Sequence, residues 1–185
     1  MVAGAEHLHF ACTACGDCCR RHRVALTHRD LVRIKRIVAE PAERLVDWLS
    51  PDELEPDADA ASFVTLPAGP RLMVLAHAGG ACRFLASDNR CGVYPARPRD
   101  CAMYPFVLER DQRRVVRLSL FGPEGCGGRG TAMDFGKLAS ADAQRWAEVE
   151  EYRAMVGRWN RLANHRRRFG HRAGTAQQFL ARITS

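Results

Sequence analysis

Four of the eight cysteines fall within eight residues, in the block CTACGDCC that spans 12–19, and no other feature so narrows what the chain can fold into. Cys12, Cys15, Cys18 and Cys19 read C-x2-C-x2-C-C, and Cys82, Cys91, Cys101 and Cys126 follow downstream. Two-residue spacers let the backbone curl so that both sulfurs face one ion while N–H groups point at the thiolates. For that reason C-x2-C recurs in zinc knuckles and iron–sulfur loops. The adjacent pair is harder to satisfy, because neighbouring side chains lie on opposite faces of a strand and about 100° apart on a helix. Cys18 and Cys19 are therefore expected to part company, one binding a first centre while the other turns to a second centre or to packing.

The downstream block CRFLASDNRCGVYPARPRDC separates Cys82, Cys91 and Cys101 by loops of eight and nine residues. Asn89, Gly92, Pro95 and Pro98 mark it as turn-rich, and the prolines lessen the entropy lost when Cys91 and Cys101 are brought together. Cys126 lies in GPEGCGGRG, where glycines allow close backbone approach to sulfur. Every cysteine is thus expected in a loop-like setting rather than in the middle of a helix. A lone buried cysteine is the ordinary reading for any single one, but it is a poor account of the set.

The first eleven residues, MVAGAEHLHFA, have neither the basic start nor the apolar run of a signal peptide. No segment approaches the roughly 18 apolar residues of a membrane helix. The expected location is therefore cytoplasmic, where thiols stay reduced and dense cysteines point to metal or catalysis rather than structural disulfides. A length of 185 residues and a 46% hydrophobic composition fit one globular domain.

The net charge of +7 invites a nucleic-acid reading, but eight thiolates and two divalent ions would lower it to +3. Arg20, Arg21, Arg23, Arg83, Arg90, Arg97 and Arg99 also flank the cysteine blocks, where cations would lower thiol pKa values. The chain is equally well described as simply arginine-rich, with Lys35 and Lys137 as its two lysines. The basic run NHRRRFGHR reads as a helix C-terminus, where cations suit the dipole, followed by a solvated end. One short run is a weak footprint, so nucleic acid is not the expected partner, and neither is a membrane.

Thr27 reads as an N-cap with Asp30 completing a capping box, and Leu31, Ile34 and Val38 form the apolar face that follows. Pro41 opens a second short helix with Leu45, Trp48 and Leu49 inward. The acidic run PDELEPDADA is a surface loop. SFVTL and RLMVLA flank PAGP as a hairpin, and RRVVRLSLF is a third strand candidate. From Ser140 to about Arg168, Val149, Tyr152, Val156, Trp159 and Ala163 form a helical stripe. The expected fold is α+β: a small, loop-rich, metal-organised domain with short strands and a long C-terminal helix. Residues 1–135 are the cysteine-cluster metal or iron–sulfur domain, and 136–185 a helix and basic tail packed on the same domain.

Disulfides are disfavoured by compartment, which leaves zinc and an iron–sulfur centre, and spacing alone does not separate them. An ordinary ferredoxin does not fit, because the fourth cysteine is adjacent rather than followed by proline. His22, and more remotely His7 and His9, could assist a thiol or a metal. Asp17 and Asp100 read as loop caps or arginine partners. There is no H-E-x-x-H helix, no Ser-His-Asp order and no phosphate-binding loop.

Taken together, CTACGDCC, then CRFL with CGVYPARPRDCAMYPF, then GPEGCGG, resemble the CxxCxxCC or YkgJ-like cysteine-cluster family of zinc- or iron-chelating domains. The resemblance covers most of residues 10–128. It implies that Cys12, Cys15, Cys18, Cys19, Cys82, Cys91, Cys101 and Cys126 are metal ligands and that Tyr94, Arg97 and Pro98 shape the site. It further implies an iron–sulfur centre, 4Fe–4S in type, with zinc as the alternative. Electron transfer or cluster-dependent chemistry would call for a redox partner protein. Flagellin lysine methylases have a related cysteine arrangement, but this chain is shorter and has no separate segment for S-adenosylmethionine, so their activity is not carried over.

Overall fold

A computed structural model of the chain describes residues 10, 12–54, 58–111, 114–120 and 134–184. The described part opens with two helices, α1 (Asp17–Arg21) and α2 (His28–Lys35). The start of α2 follows from its capping box. The Asp30 backbone N–H donates to Thr27 Oγ1 at 3.3 Å, and the Asp30 carboxylate accepts the Thr27 N–H at 2.9 Å. This satisfies donors that a helix N-terminus otherwise leaves open. Leu31 and Ile34 then point into the core with no exposed surface, and Val38 packs against the same cluster.

Pro41 precedes α3 (Ala42–Leu45), which is one turn long. The sequence expectation of a longer helix fails here. Trp48 and Leu49 belong to strand β1 (Val46–Leu49), because Val46 to Leu49 pair antiparallel with Leu75 to Leu72 of β3 (Gly69–Leu75). The predicted hairpin is present: β2 (Val64–Leu66) pairs with β3 through Leu66 and Gly69, giving the order β1-β3-β2. Gly69 has φ 106°, a conformation that side chains rarely adopt and that closes the turn. In β3, Leu72, Met73, Val74 and Leu75 are all buried, so both faces of this central strand are covered.

Two small ladders follow. One joins β4 (His77–Ala78) and β5 (Ala81–Cys82), and the other joins β6 (Phe106–Asp111) and β7 (Arg114–Leu120). The predicted third strand is β7, and β6 is the partner that sequence reasoning passed over. Between the two ladders lies α4 (Arg99–Met103).

The long helix is α5 (Phe135–Arg168), capped by Asp134, whose side chain accepts the Lys137 N–H at 3.1 Å. Tyr152, Val156, Trp159 and Ala163 form its buried stripe, while Val149 is half-buried. It packs on β2 and α4. A Schellman turn ends it, with the His171 N–H donating to Arg166 O at 2.9 Å and the Gly170 N–H to Arg167 O at 3.1 Å. Gly170 has φ 76°, as that turn requires.

The chain beyond is not a solvated end. Residues 176–184 form α6 (Ala176–Thr184), and Phe179, Leu180 and Ile183 are buried in the main core. Phe179 meets Trp48, Tyr152 and Trp159 edge-on, with ring centroids 6.1, 6.3 and 5.3 Å away. That close return is possible because position 174 is glycine: a Cβ there would lie 2.4 Å from Trp159 Cη2. One hydrophobic cluster therefore runs through α2, α3, the three-stranded sheet, α5 and α6. A smaller one joins Met103, Phe106 and Leu138, with Phe10 against it. No helix among the described residues is long and apolar enough to cross a membrane. The architecture is mixed α+β with small sheets and a long helix towards the C-terminus, as expected.

Candidate metal centre

Three short segments bring the thiols together, and their local chemistry explains why each is shaped as it is. The first is the turn into α1. Gly16 adopts φ 76°, and a Cβ there would stand 2.6 Å from Arg20 Nη1, 3.1 Å from Asn89 Oδ1 and 3.2 Å from Leu85 Cδ1. Glycine is needed for both conformation and contact. The Arg20 guanidinium donates to the Cys15 carbonyl at 3.0 Å and to Asn89 Oδ1, tying the N-terminal block to the second segment.

That second segment is the loop from Cys82 to Cys91. The Leu85 N–H donates to Cys82 O at 2.9 Å, Ala86 N–H to Arg90 O at 2.9 Å, and Gly92 N–H to Phe84 O at 2.8 Å. Asn89 takes a positive φ of 64° at its tip, a conformation asparagine tolerates better than most residues. Cys91 is bridged back to Leu85. A 3-10 turn over Tyr94–Ala96 then leads through Pro98 into α4, which carries Cys101. Arg97 covers the Tyr94 ring at 4.0 Å, a cation–π contact beside the thiols.

From the other side, α4 is bolted to the core by charge. Its first residue, Arg99, donates its backbone N–H to Asp30 Oδ1 at 3.0 Å and its side chain to Glu148 Oε1 at 3.2 Å. Asp100 accepts from Arg145 of α5 at 3.0 Å. Asp100 is therefore an arginine partner, as its position suggests. Burial nevertheless raises its pKa above the carboxylate norm, only partly offset by Arg145.

Cys18, Cys19, Cys82, Cys91 and Cys101 are all partly buried and act on one another. The Cys19 thiol, with its single S–H shared between them, is in hydrogen-bond contact with Cys18 and Cys82, which lowers Cys18 to about 6 and Cys82 to about 7. The same two bonds push Cys19 far above the ordinary thiol range. The three sulfurs thus share protons as one titrating set. Backbone N–H groups add to the cradle, with Phe84 serving Cys82 and Val93 serving Cys91. Burial raises Cys91 and Cys101, and the charge of Cys82 raises them further. Ionisation is thus unevenly divided, with Cys18 and Cys82 drawn down while Cys19, Cys91 and Cys101 are pushed up. Bound metal takes the place of the protons.

The sequence expectations meet this geometry unevenly. Cys18 and Cys19 both lie on α1, which packs on β5, and Cys19 is within hydrogen-bonding reach of both Cys18 and Cys82. Nor are the cysteines confined to loops. Cys18 and Cys19 sit in α1, Cys82 in β5 and Cys101 in α4, all elements of five residues or fewer. Cys12 and Cys15 are exposed in the segment before α1. Cys126, His7 and His9 lie outside the described residues. Among the described residues no three His, Cys, Asp or Glu side chains already stand close enough to hold a single ion. His22 places its ring 5.0 Å from Tyr104.

Of the flanking arginines, Arg83 adds slightly to the lowering of Cys82, and Arg97 opposes the burial that leaves Cys91 raised. Arg23, Arg90 and Arg99 are paired with Asp47, Asp88 and Glu148 instead. Sequence reasoning missed Asp30, Asn89 and Glu148 as supports of the site. Asn89 alone carried a local signal, since an asparagine next to Arg90-Cys91 suits a left-handed turn.

A small α+β domain in which five partly buried thiols influence one another has the donor chemistry that suits a thiophilic metal. The chain belongs to the CxxCxxCC family: residues 11–119 match its model, described as "Putative zinc- or iron-chelating domain". No curated protein and no solved structure matches the chain.

Proposed function

We propose that this chelating domain is an iron–sulfur protein, with Cys18, Cys19, Cys82, Cys91 and Cys101 supplying the cluster ligands. Cys12, Cys15 and Cys126 complete the set or serve a second metal site. The observation that carries the reading is the number and spread of the thiols that influence one another. A single tetrahedral zinc takes four sulfurs at about 2.3 Å, and so about 3.8 Å from each other. Here five thiols are gathered, and they do not stand on equal terms. Cys19 is in hydrogen-bond contact with Cys18 and Cys82, whereas Cys91 and Cys101 feel Cys82 and Cys18 through space. That spread suits a multi-iron centre held by thiolates. When bound, such a centre supplies one-electron transfer. The chain's own part is to present sulfurs, aim the Phe84 and Val93 N–H groups at them, and set Arg83 and Arg97 against their negative charge.

The reading places the protein in a reducing, cytoplasmic setting, with a redox protein as partner. Its competitor is a structural or metal-handling zinc module, favoured by the contact spacing of Cys18, Cys19 and Cys82. Purification without oxygen, followed by iron, acid-labile sulfide and zinc analysis, separates the two. Iron and sulfide in matching amounts are expected. Colourless protein with stoichiometric zinc and no sulfide would overturn the cluster reading. Serine at Cys18, Cys82, Cys91 or Cys101 should each lower metal content, and full retention in all four would remove them from the ligand set.

A further inference from the structure

The protein's net charge of +7 comes entirely from its last 34 residues, the rest being slightly acidic. Residues 152–185 contain eight arginines and no acid, which leaves 20 cations against 21 acids in the rest of the sequence. The structure shows how differently the two parts are wired. Several earlier arginines are neutralised across elements: Arg29 by Glu151 at 3.0 Å, Arg33 by Glu148 at 2.7 Å, Arg145 by Asp100 at 3.0 Å. Arg153 still finds Asp59 at 2.9 Å. Beyond it, among the described residues, Arg158, Arg161, Arg168 and Arg172 have no acidic partner, and all four are exposed.

Their spacing matters as much as their number. At 3.6 residues per turn, Arg158, Arg161, His165 and Arg168 share one face of α5. It is the face opposite the buried Val156, Trp159 and Ala163. Arg158 to Arg168 is about 15 Å of helix. At the end of this stripe Phe169 is 67% exposed, with its ring 4.8 Å from that of His165. The helix dipole accounts for cations in the last turn, but its influence fades within that turn. Arg158 and Arg161 lie well before it, and Arg172 lies after the helix has ended.

We infer that this outward face of α5 is a docking surface for single-stranded nucleic acid, with the arginines on successive phosphates and Phe169 under an unpaired base. Guanidinium forks match phosphate oxygens. A row of cations next to a bare aromatic ring is the arrangement by which single strands are held without sequence preference. A duplex would leave the ring without a base to stack on. An acidic protein would normally bury a larger apolar centre than one phenyl ring and its neighbour Leu162. Arg158, Arg161, Arg168 and Arg172 together offer one guanidinium to each of about four phosphates. This surface is independent of which metal the thiols hold.

The test is fluorescence anisotropy of the full, metal-loaded chain with a labelled twelve-residue oligouridine across salt concentrations. Four phosphate contacts on a single strand predict a slope of log K against log salt near −3, about a fifty-fold loss between 50 and 200 mM. The triple variant Arg158→Gln, Arg161→Gln, Arg168→Gln should bind more weakly and lose only about threefold over that range. Phe169→Ala should weaken binding about fivefold or more and leave the slope unchanged. Should the triple variant fail to fold, Arg158→Gln alone must still flatten the slope by about 0.7. Absence of salt-dependent binding, or a triple variant that binds like the parent, overturns the inference. So does equal affinity for a duplex, polyglutamate or phosphatidylserine vesicles together with indifference to Phe169→Ala.

Discussion

Replacing Asp30 with alanine should be costly, and the cost can be built from its contacts. Asp30 is 2% exposed, so solvent screens it little. It accepts the Thr27 N–H at 2.9 Å, the Thr27 hydroxyl at 2.8 Å, the Arg99 N–H at 3.0 Å and the Arg33 guanidinium. Loss of the reciprocal cap costs about 1 kcal/mol. Leaving the Arg99 N–H inside without an acceptor adds about 1–3 kcal/mol. Arg33 keeps Glu148 at 2.7 Å, so its charge is not stranded. The total, about 3 kcal/mol, corresponds to a fall in Tm of about 6–12 °C for a chain of this size. Asp30→Asn keeps the volume and one acceptor and should cost roughly half as much. Urea unfolding of the metal-loaded protein, read by far-UV circular dichroism, measures both. Metal content measured alongside should drop in the alanine variant, because Arg99 begins the helix that holds Cys101. An alanine variant that loses less than about 1 kcal/mol would refute this account of how the core fixes the site.

Phe179→Ala should cost about 3–5 kcal/mol, since it empties a fully buried site among three aromatic rings; unchanged thermal unfolding would return α6 to the status of a loose tail. Gly16→Ala forces a side chain into the left-handed region and against Arg20 and Asn89; a loss of about 1–2 kcal/mol is expected, with weaker metal retention read by a chelator competition. Burial by itself would raise the pKa of Glu148, but hydrogen bonds and charge from Arg33, then Arg99, outweigh it and hold the group below its ordinary value of 4.5. A carboxylate depressed in the folded state stabilises above the unfolded pKa, and that contribution is lost as pH falls through the folded one. Stability should therefore decline from about pH 5 towards pH 3 less steeply in Glu148→Gln than in the parent, and coincident acid-unfolding profiles would refute the assignment.

Much of the scaffold could be read from residues whose signals are local. Thr27 with Asp30, the Val64–Leu75 hairpin around Pro67, and the stripe from Tyr152 to Ala163 each declare themselves within a few positions. What escaped was decided by distant partners. Nothing near Val46 says that the helix must stop there; pairing with Leu75 does. The helix at Ala176–Thr184 comes after a basic run whose charge suggests a solvated end. Yet Phe179, Leu180 and Ile183 already had a helical apolar spacing. At the thiols, the eight cysteines and the family pattern were plain in the sequence, while the contact of Cys19 with Cys82 was not. Their meeting depends on α1 lying against β5, a contact between segments more than sixty residues apart.

The five gathered thiols come from residues 18 to 101, and this spread sets an order of events during synthesis. At about 5–20 residues per second, the ribosome makes Cys101 about 4–16 s after Cys19. Throughout that interval the nascent chain offers any incoming metal only the crowded N-terminal octapeptide, with its downstream sulfurs unmade. Whatever binds then must be able to change ligands as α4 docks. In the finished domain Cys12 and Cys15 stay open to solvent, whereas the thiols from Cys18 to Cys101 are partly buried.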